Sequence, residues 1–291
     1  MKTWAPVDSR QYIVTYAVRS AAECPPDFSL PATLGGFETG LFLPRDDPDW
    51  FGRSSYPPRL LLLTRDAIHM VPHPTSDDEP VEFRLADICS VESAHILLKG
   101  WLRFAGCGVD CKVPYNTRGL PAVFEFMRRF REIYLDTRQS SLAPDTILGA
   151  KLDIKFSNAV VSELDLGEPL SALFFQAPKQ SRSRQWLVPR RYWTPGDLAV
   201  LTDSRLIWIT DRDHFSRLQF GSIASYVPLR ALSAVGVLLG DTGPVLSVAI
   251  QGGCEWNIPI QPENRKGAED FVALAAIHTN RYGTCRIQLP R

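Results

Sequence analysis

One stretch of this chain is written twice, and that repetition limits the folds open to it more than any other feature. Leu60-Leu-Leu-Leu-Thr64-Arg-Asp-Ala-Ile68-His-Met-Val71 is answered by Leu198-Ala-Val-Leu-Thr202-Asp-Ser-Arg-Leu206-Ile-Trp-Ile209. Each copy has an apolar run ending in Thr, a polar turn and a second apolar run. Upstream, Phe37-Glu-Thr-Gly-Leu41-Phe42-Leu43 aligns with Gly167-Glu-Pro-Leu-Ser-Ala-Leu173-Phe174-Phe175. Downstream, Phe83 to Val91 aligns with Val227 to Val235, and Cys111 to Tyr115 with Trp256 to Ile260. Solenoid units run roughly 20–50 residues, so a repeat spaced this widely indicates two copies of one domain.

The length of 291 residues agrees with that reading, because a domain typically takes about 100–200 residues. Each half is long enough to bury its own core. The polar stretch Thr137-Arg-Gln-Ser-Ser-Leu-Ala-Pro144-Asp reads as a linker at 137–146, between a first domain at 1–136 and a second at 147–291. Strand signals dominate both halves. They are short runs of Leu, Val, Ile, Phe and Trp, separated by turns, and the repeated hairpins read as half-buried. Tyr12–Val18 and Cys285–Leu289 lie outside the repeat and read as strands that either add to a sheet edge or tie the domains together.

Each copy closes on a helical pattern. Leu120, Val123, Met127, Phe130 and Tyr134 recur on one helical face, with Arg128, Arg129, Arg131 and Glu132 mostly opposite. Pro121 suits a first turn, where its missing N–H is not needed. Ala268, Phe271, Val272 and Ala275 form the second stripe, with Glu269 and Asp270 expected in the first turn. The helices are expected over Leu120–Leu135 and Ala268–His278. Expected core residues are Leu61, Leu63, Ile68, Met70, Phe124 and Phe130, then Val200, Leu206, Trp208, Phe271 and Leu274.

Short strands followed by one amphipathic helix, twice over, resemble a tandem of pleckstrin-homology-like domains. The nearer likeness is to the GRAM and bacterial branches. The hairpins Leu63-Thr64-Arg65-Asp66-Ala-Ile68 and Leu201-Thr202-Asp203-Ser204-Arg205-Leu206 carry it. So does the strand Pro228-Leu229-Arg-Ala-Leu232-Ser-Ala-Val235, whose first-copy partner, Arg84 to Val91, lacks the proline. The resemblance implies an α+β, mainly β architecture. Each domain would be a strongly bent antiparallel sheet, a split barrel capped by its C-terminal helix. It also implies a binding module for lipid headgroups or proteins, without catalysis, although one fold hosts many functions.

Composition is that of an ordinary globular protein, 45% hydrophobic and 22% charged, with a formal net charge of zero. That balance gives no general electrostatic case for nucleic acid. The N-terminus lacks the pattern of a signal peptide, and no run approaches the ~18 apolar residues of a membrane span. A cytoplasmic chain, either free or peripheral to a membrane, is the expectation. The six cysteines are too sparse for a disulfide framework. Cys107 and Cys111 flank a turn and read as structural thiols. No metal or cofactor is implied, and no G-x-S-x-G, H-E-x-x-H or P-loop motif suggests an enzyme.

The best candidate for chemistry is a basic stretch from Lys179 to Trp193. Lys179, Arg182, Arg184, Arg190 and Arg191 lie there with no acid between Pro178 and Gly196. Guanidinium groups bind phosphate oxygens bidentately, and Trp186 and Trp193 suit headgroup depth. Lys179, Arg182 and Arg184 also have the form of the basic signature in the first loop of pleckstrin-homology domains, where that family binds phosphoinositides. The partner implied is an anionic membrane surface or an acidic protein. A solvated loop with no partner accounts for the same residues. The matching stretch of the first copy is acidic, with Asp46, Asp47 and Asp49 beside Trp50. Complementary loops would support a second reading, a protein adaptor or self-associating homo-oligomer.

Overall fold

The computed structural model describes residues 14–31, 34–44, 57–96, 99–135, 152–164, 168–182, 191–211, 221–240, 243–279 and 286–288. The linker at 137–146 lies outside them. The described residues are mainly β, with helices and largely antiparallel sheets, none of which closes on itself. The chain divides into two compact units. The first comprises Met1–Ile88, Leu97–Arg103 and Cys111–Thr137, and the second Cys89–Ile96, Phe104–Asp110 and Arg138–Arg291.

In the first unit, β1 (Tyr16–Val18), β2 (Thr39–Leu43), β3 (Arg59–Leu63), β4 (Ala67–Pro72) and β5 (Val81–Arg84) form an antiparallel meander in chain order. The segment Tyr12–Val18 thus contributes an edge strand. β6 (Ile88–Ile96), β7 (Lys99–Gly106) and β8 (Val109–Asn116) follow as neighbours, with their residues shared between the units, and then α1 (Leu120–Tyr134). All of β3 is buried, so the expectation of a half-buried strand fails there. Its uninterrupted leucines are the signature of a strand covered on both faces. Leu60 and Leu62 pack with Val18, Phe28, Phe42 and Val71, against Leu30, Leu34 and Phe37 from the chain between β1 and β2. α1 buries Val123, Phe126, Met127, Phe130 and Tyr134, with Pro121 in its first turn. Arg131 is buried as well, against expectation, at 5% exposure. Phe124 and Met70 are only half-buried.

The second unit contains a helix that the apolar pattern did not announce, α2 (Ile154–Glu163). Asp153 caps it by accepting the Lys155 N–H at 3.0 Å, the usual role of an Asp at that position. β9 (Leu170–Gln176) is followed by a separate hairpin, β10 (Lys179–Arg182) and β11 (Arg191–Thr194). Next come β12 (Asp197–Thr202), β13 (Arg205–Thr210) and β14 (Gly221–Pro228). β9, β12, β13 and β14 pair antiparallel, β14 lying beside Val91–Ile96 of β6. β15 (Leu232–Gly240), β16 (Gly243–Ile250) and β17 (Glu255–Pro259) form a second meander, closed by α3 (Arg265–Thr279). β18 (Arg286–Gln288) runs parallel to β15, so the Cys285–Leu289 segment also adds an edge strand.

The core of this unit joins Phe174, Leu201, Leu206, Val227, Leu246, Ile258, Ala268, Phe271, Val272 and Ala275. The expected stripe of α3 is therefore the buried one. Leu274 is not in it; it is 44% exposed, because it follows Val272 by only two residues and lies off the packed face. Trp208 is half-buried, its ring 5.8 Å from that of Trp256. α3 starts at Arg265, earlier than expected, behind a 3-10 turn at Pro262–Asn264. Glu269 thus sits a full turn in, pairing with Arg265 at 2.8 Å.

The order of elements recurs. Four strands, a 3-10 turn, three strands, a 3-10 turn and a helix appear as β2–β5, Leu85–Asp87, β6–β8, Thr117–Gly119 and α1. The same order returns as β9 with β12–β14, Leu229–Ala231, β15–β17, Pro262–Asn264 and α3. The repeated turn has the same bonding in both places. Thr64 Oγ1 accepts from the Ala67 N–H at 3.1 Å, and Thr202 Oγ1 from the Arg205 N–H at 3.1 Å. The Leu85 and Leu229 N–H groups then bond to Asp66 O and Ser204 O at 2.7 and 2.9 Å. Glu38 and Glu168, equivalent in the sequence alignment, each bind an arginine of their own hairpin, Arg65 and Arg205.

Candidate functional site

The basic stretch forms the β10–β11 hairpin, inserted between β9 and β12 and paired with neither. Its register sets Lys179 opposite Thr194, Gln180 opposite Trp193, Ser181 opposite Tyr192 and Arg182 opposite Arg191. Positions two apart share a face of a ladder, and directly opposed positions lie on the same face. In this register positions 180, 182, 191 and 193 fall on one side of the backbone ladder, and 179, 181, 192 and 194 on the other.

Lys179 belongs to the other face. Its ammonium pairs with the Glu263 carboxylate, ahead of α3. Arg184, Trp186 and Arg190 lie outside the described residues, as do Asp46, Asp47 and Asp49 of the acidic stretch.

Both roots of the hairpin are held by buried polar groups. Gln176, the last residue of β9, donates to Asp197 Oδ2 at 2.7 Å and to Pro259 O at 2.8 Å, while its own Oε1 accepts from Gln261 N–H at 3.1 Å. Gln261 Nε2 donates to Ala177 O at 2.8 Å. Trp208 Nε1 donates to the other oxygen of Asp197 at 3.1 Å. On the return side, Gly196 N–H donates to Asp211 Oδ1 at 2.7 Å. Asp211 is pushed above the usual carboxylate range, burial being the main cause, with Asp197 adding to it and Lys155 at 3.7 Å opposing it. Gly196 itself has no room for a side chain, since a Cβ would lie 2.8 Å from the Phe156 ring and 2.9 Å from Pro178 Cδ. The hairpin thus projects from a fixed base. Sequence alone did not mark these anchors, because Gln176, Asp197, Asp211 and Gln261 are dispersed and form no motif.

Such an arrangement can bind an anion by charge and hydrogen bonding. No helix among the described residues is long and apolar enough to cross a membrane. No protein-family model matches the chain, and no curated protein matches it in sequence.

Proposed function

We propose that the chain is a tandem of pleckstrin-homology-like domains and a non-catalytic module that binds anionic lipid headgroups through the β10–β11 hairpin. The recurring order of strands, 3-10 turns and closing helix supports the fold reading. The observation that carries the functional reading is the register. It opposes Arg182 to Arg191, with Trp193 two positions further along the same strand, so two cations and an aromatic belong to one anchored hairpin. Arg184 and Arg190, close by in sequence, extend the same charge. Lys179, held by Glu263, steadies the hairpin and leaves headgroup binding to the arginines.

The test is co-sedimentation of the chain with phosphatidylcholine vesicles, alone or containing phosphatidylserine or a phosphoinositide, at low and high salt. Binding should require the anionic lipid and fall as salt rises. A cation near an anionic surface contributes about 1 kcal/mol, so R182A with R191A should weaken binding about thirtyfold. Unchanged binding by that variant removes the proposal. A second reading, a protein adaptor, draws on Leu274 and Ile277, exposed one turn apart on α3. Indifference to every vesicle would favour it.

A further inference from the structure

From the sequence, Cys107 and Cys111 read as structural thiols flanking a turn. The structure brings Cys107 to Cys89, with the two sulfurs 4.0 Å apart. Cys111 is buried on β8. Cys89, near the start of β6, is 4% exposed, whereas Cys107, in the turn between β7 and β8, is exposed. The turn has room to adjust, since Gly108 beside it has a φ of +75° and nothing within 4 Å of where its Cβ would be. A third thiol, Cys254, packs at the edge of the same core. Its turn lies against this one, for a Cβ on Gly252 would be 3.3 Å from the Gly106 carbonyl carbon and 3.5 Å from Cys107 Sγ.

We propose that Cys89 and Cys107 form a peroxide-sensitive dithiol, with Cys107 the sulfur that meets the oxidant and Cys89 the one that resolves it. An exposed thiol near a buried partner is the arrangement that sulfenic-acid chemistry requires. The Cys107 thiolate attacks a peroxide oxygen, so an S–O bond forms, the O–O bond breaks and, with a proton taken up, water leaves. Cys89 sulfur then attacks Cys107 sulfur. The S–S bond forms, the S–O bond breaks, and the hydroxide departs as a second water with the proton of Cys89. Two thiols and one peroxide become a disulfide and two waters. The sulfurs must close from 4.0 Å to about 2.05 Å, within reach of a side-chain rotation and a small turn shift. Burial, together with the adjacent Cys107 and Cys254 sulfurs, holds the Cys89 thiol above its usual range.

The reduced full-length chain is treated with hydrogen peroxide, quenched by alkylation and mapped by peptide mass spectrometry without reductant. The expected product links the Cys89 and Cys107 peptides with a loss of roughly 2 Da, reversed by dithiothreitol. C107S, at an exposed position that keeps the fold, should abolish it, while C254S and C111S should leave it in place. Cys107 oxidised to the sulfonic acid with Cys89 still alkylatable after denaturation overturns the proposal. So does a link from Cys107 to Cys111 or to Cys254 in place of Cys89.

Discussion

Arg205 and Glu168 form a deeply buried ion pair, at 0% and 5% side-chain exposure. Arg205 Nε and Nη2 reach the two Glu168 oxygens at 3.1 and 2.5 Å, and Nη2 also donates to Glu163 O at 2.8 Å. The guanidinium lies 5.2 Å from the Tyr226 ring centre. Thr202 and Ser204 hydroxyls donate to the same carboxylate at 2.6 and 2.9 Å. Glu168→Gln keeps the shape and removes the charge, leaving Arg205 buried against a neutral amide. Breaking a buried pair from one side costs about 3–5 kcal/mol, which for a unit of this size lowers Tm on the order of 10 °C. Thermal melts followed by circular dichroism measure it. The double variant E168L/R205M, which removes both charges, should be less destabilised than E168Q, because no charge is left without its partner. pH adds an independent readout. Burial is the largest single influence on Glu168 and pushes it up, but Arg205 and the two hydroxyls together outweigh it and hold the carboxyl below its usual range. The stability it contributes is therefore present above the ordinary carboxylate pKa and lost as pH falls through the lowered one. E168Q should lack that acid-dependent component. A Tm for E168Q within about 1 °C of the native chain, with an unchanged acid profile, would mean the pair contributes almost nothing and would refute the reasoning.

Three further outcomes are expected. Gly196→Ala should cost about 1–3 kcal/mol in urea unfolding, from overpacking against Phe156 and Pro178, and should weaken vesicle binding by shifting the hairpin root. Asp211→Asn should raise Tm at pH 8. Its carboxyl sits above the usual range in the folded chain, so ionisation costs stability above that raised value, and the gain should disappear as pH falls through it. Thr64→Val should cost about 1–2 kcal/mol by leaving the Ala67 N–H without its acceptor, and Thr202→Val more, since Thr202 also serves Glu168.

The periodic signals proved the readable ones. Val123, Met127, Phe130 and Tyr134 were legible as a helix face because residues three or four apart share one, and the second stripe was equally plain. α2 was not. Phe156, Ala159 and Val160 are too few for a strong stripe, and Asp153 is a cap only once a helix follows it. In the candidate site the sequence located the cations but not their arrangement. Nothing in the order Lys179 to Arg191 says that Lys179 turns to Glu263, a residue from a distant segment, while Arg182 is set against Arg191. The dithiol was hidden for the same reason. Cys111 is nearer to Cys107 in sequence, but the fold brings Cys89 beside it.

The repeated succession of hairpin, strands and closing helix is written in short-range signals, because apolar period and turn chemistry act over a few residues at a time. Which faces are covered twice, how the basic hairpin is registered and rooted, and which sulfur meets which were settled by long-range packing. Those outcomes depend on segments tens of residues apart meeting across a packed core, where burial and pairing, not local pattern, select the neighbour.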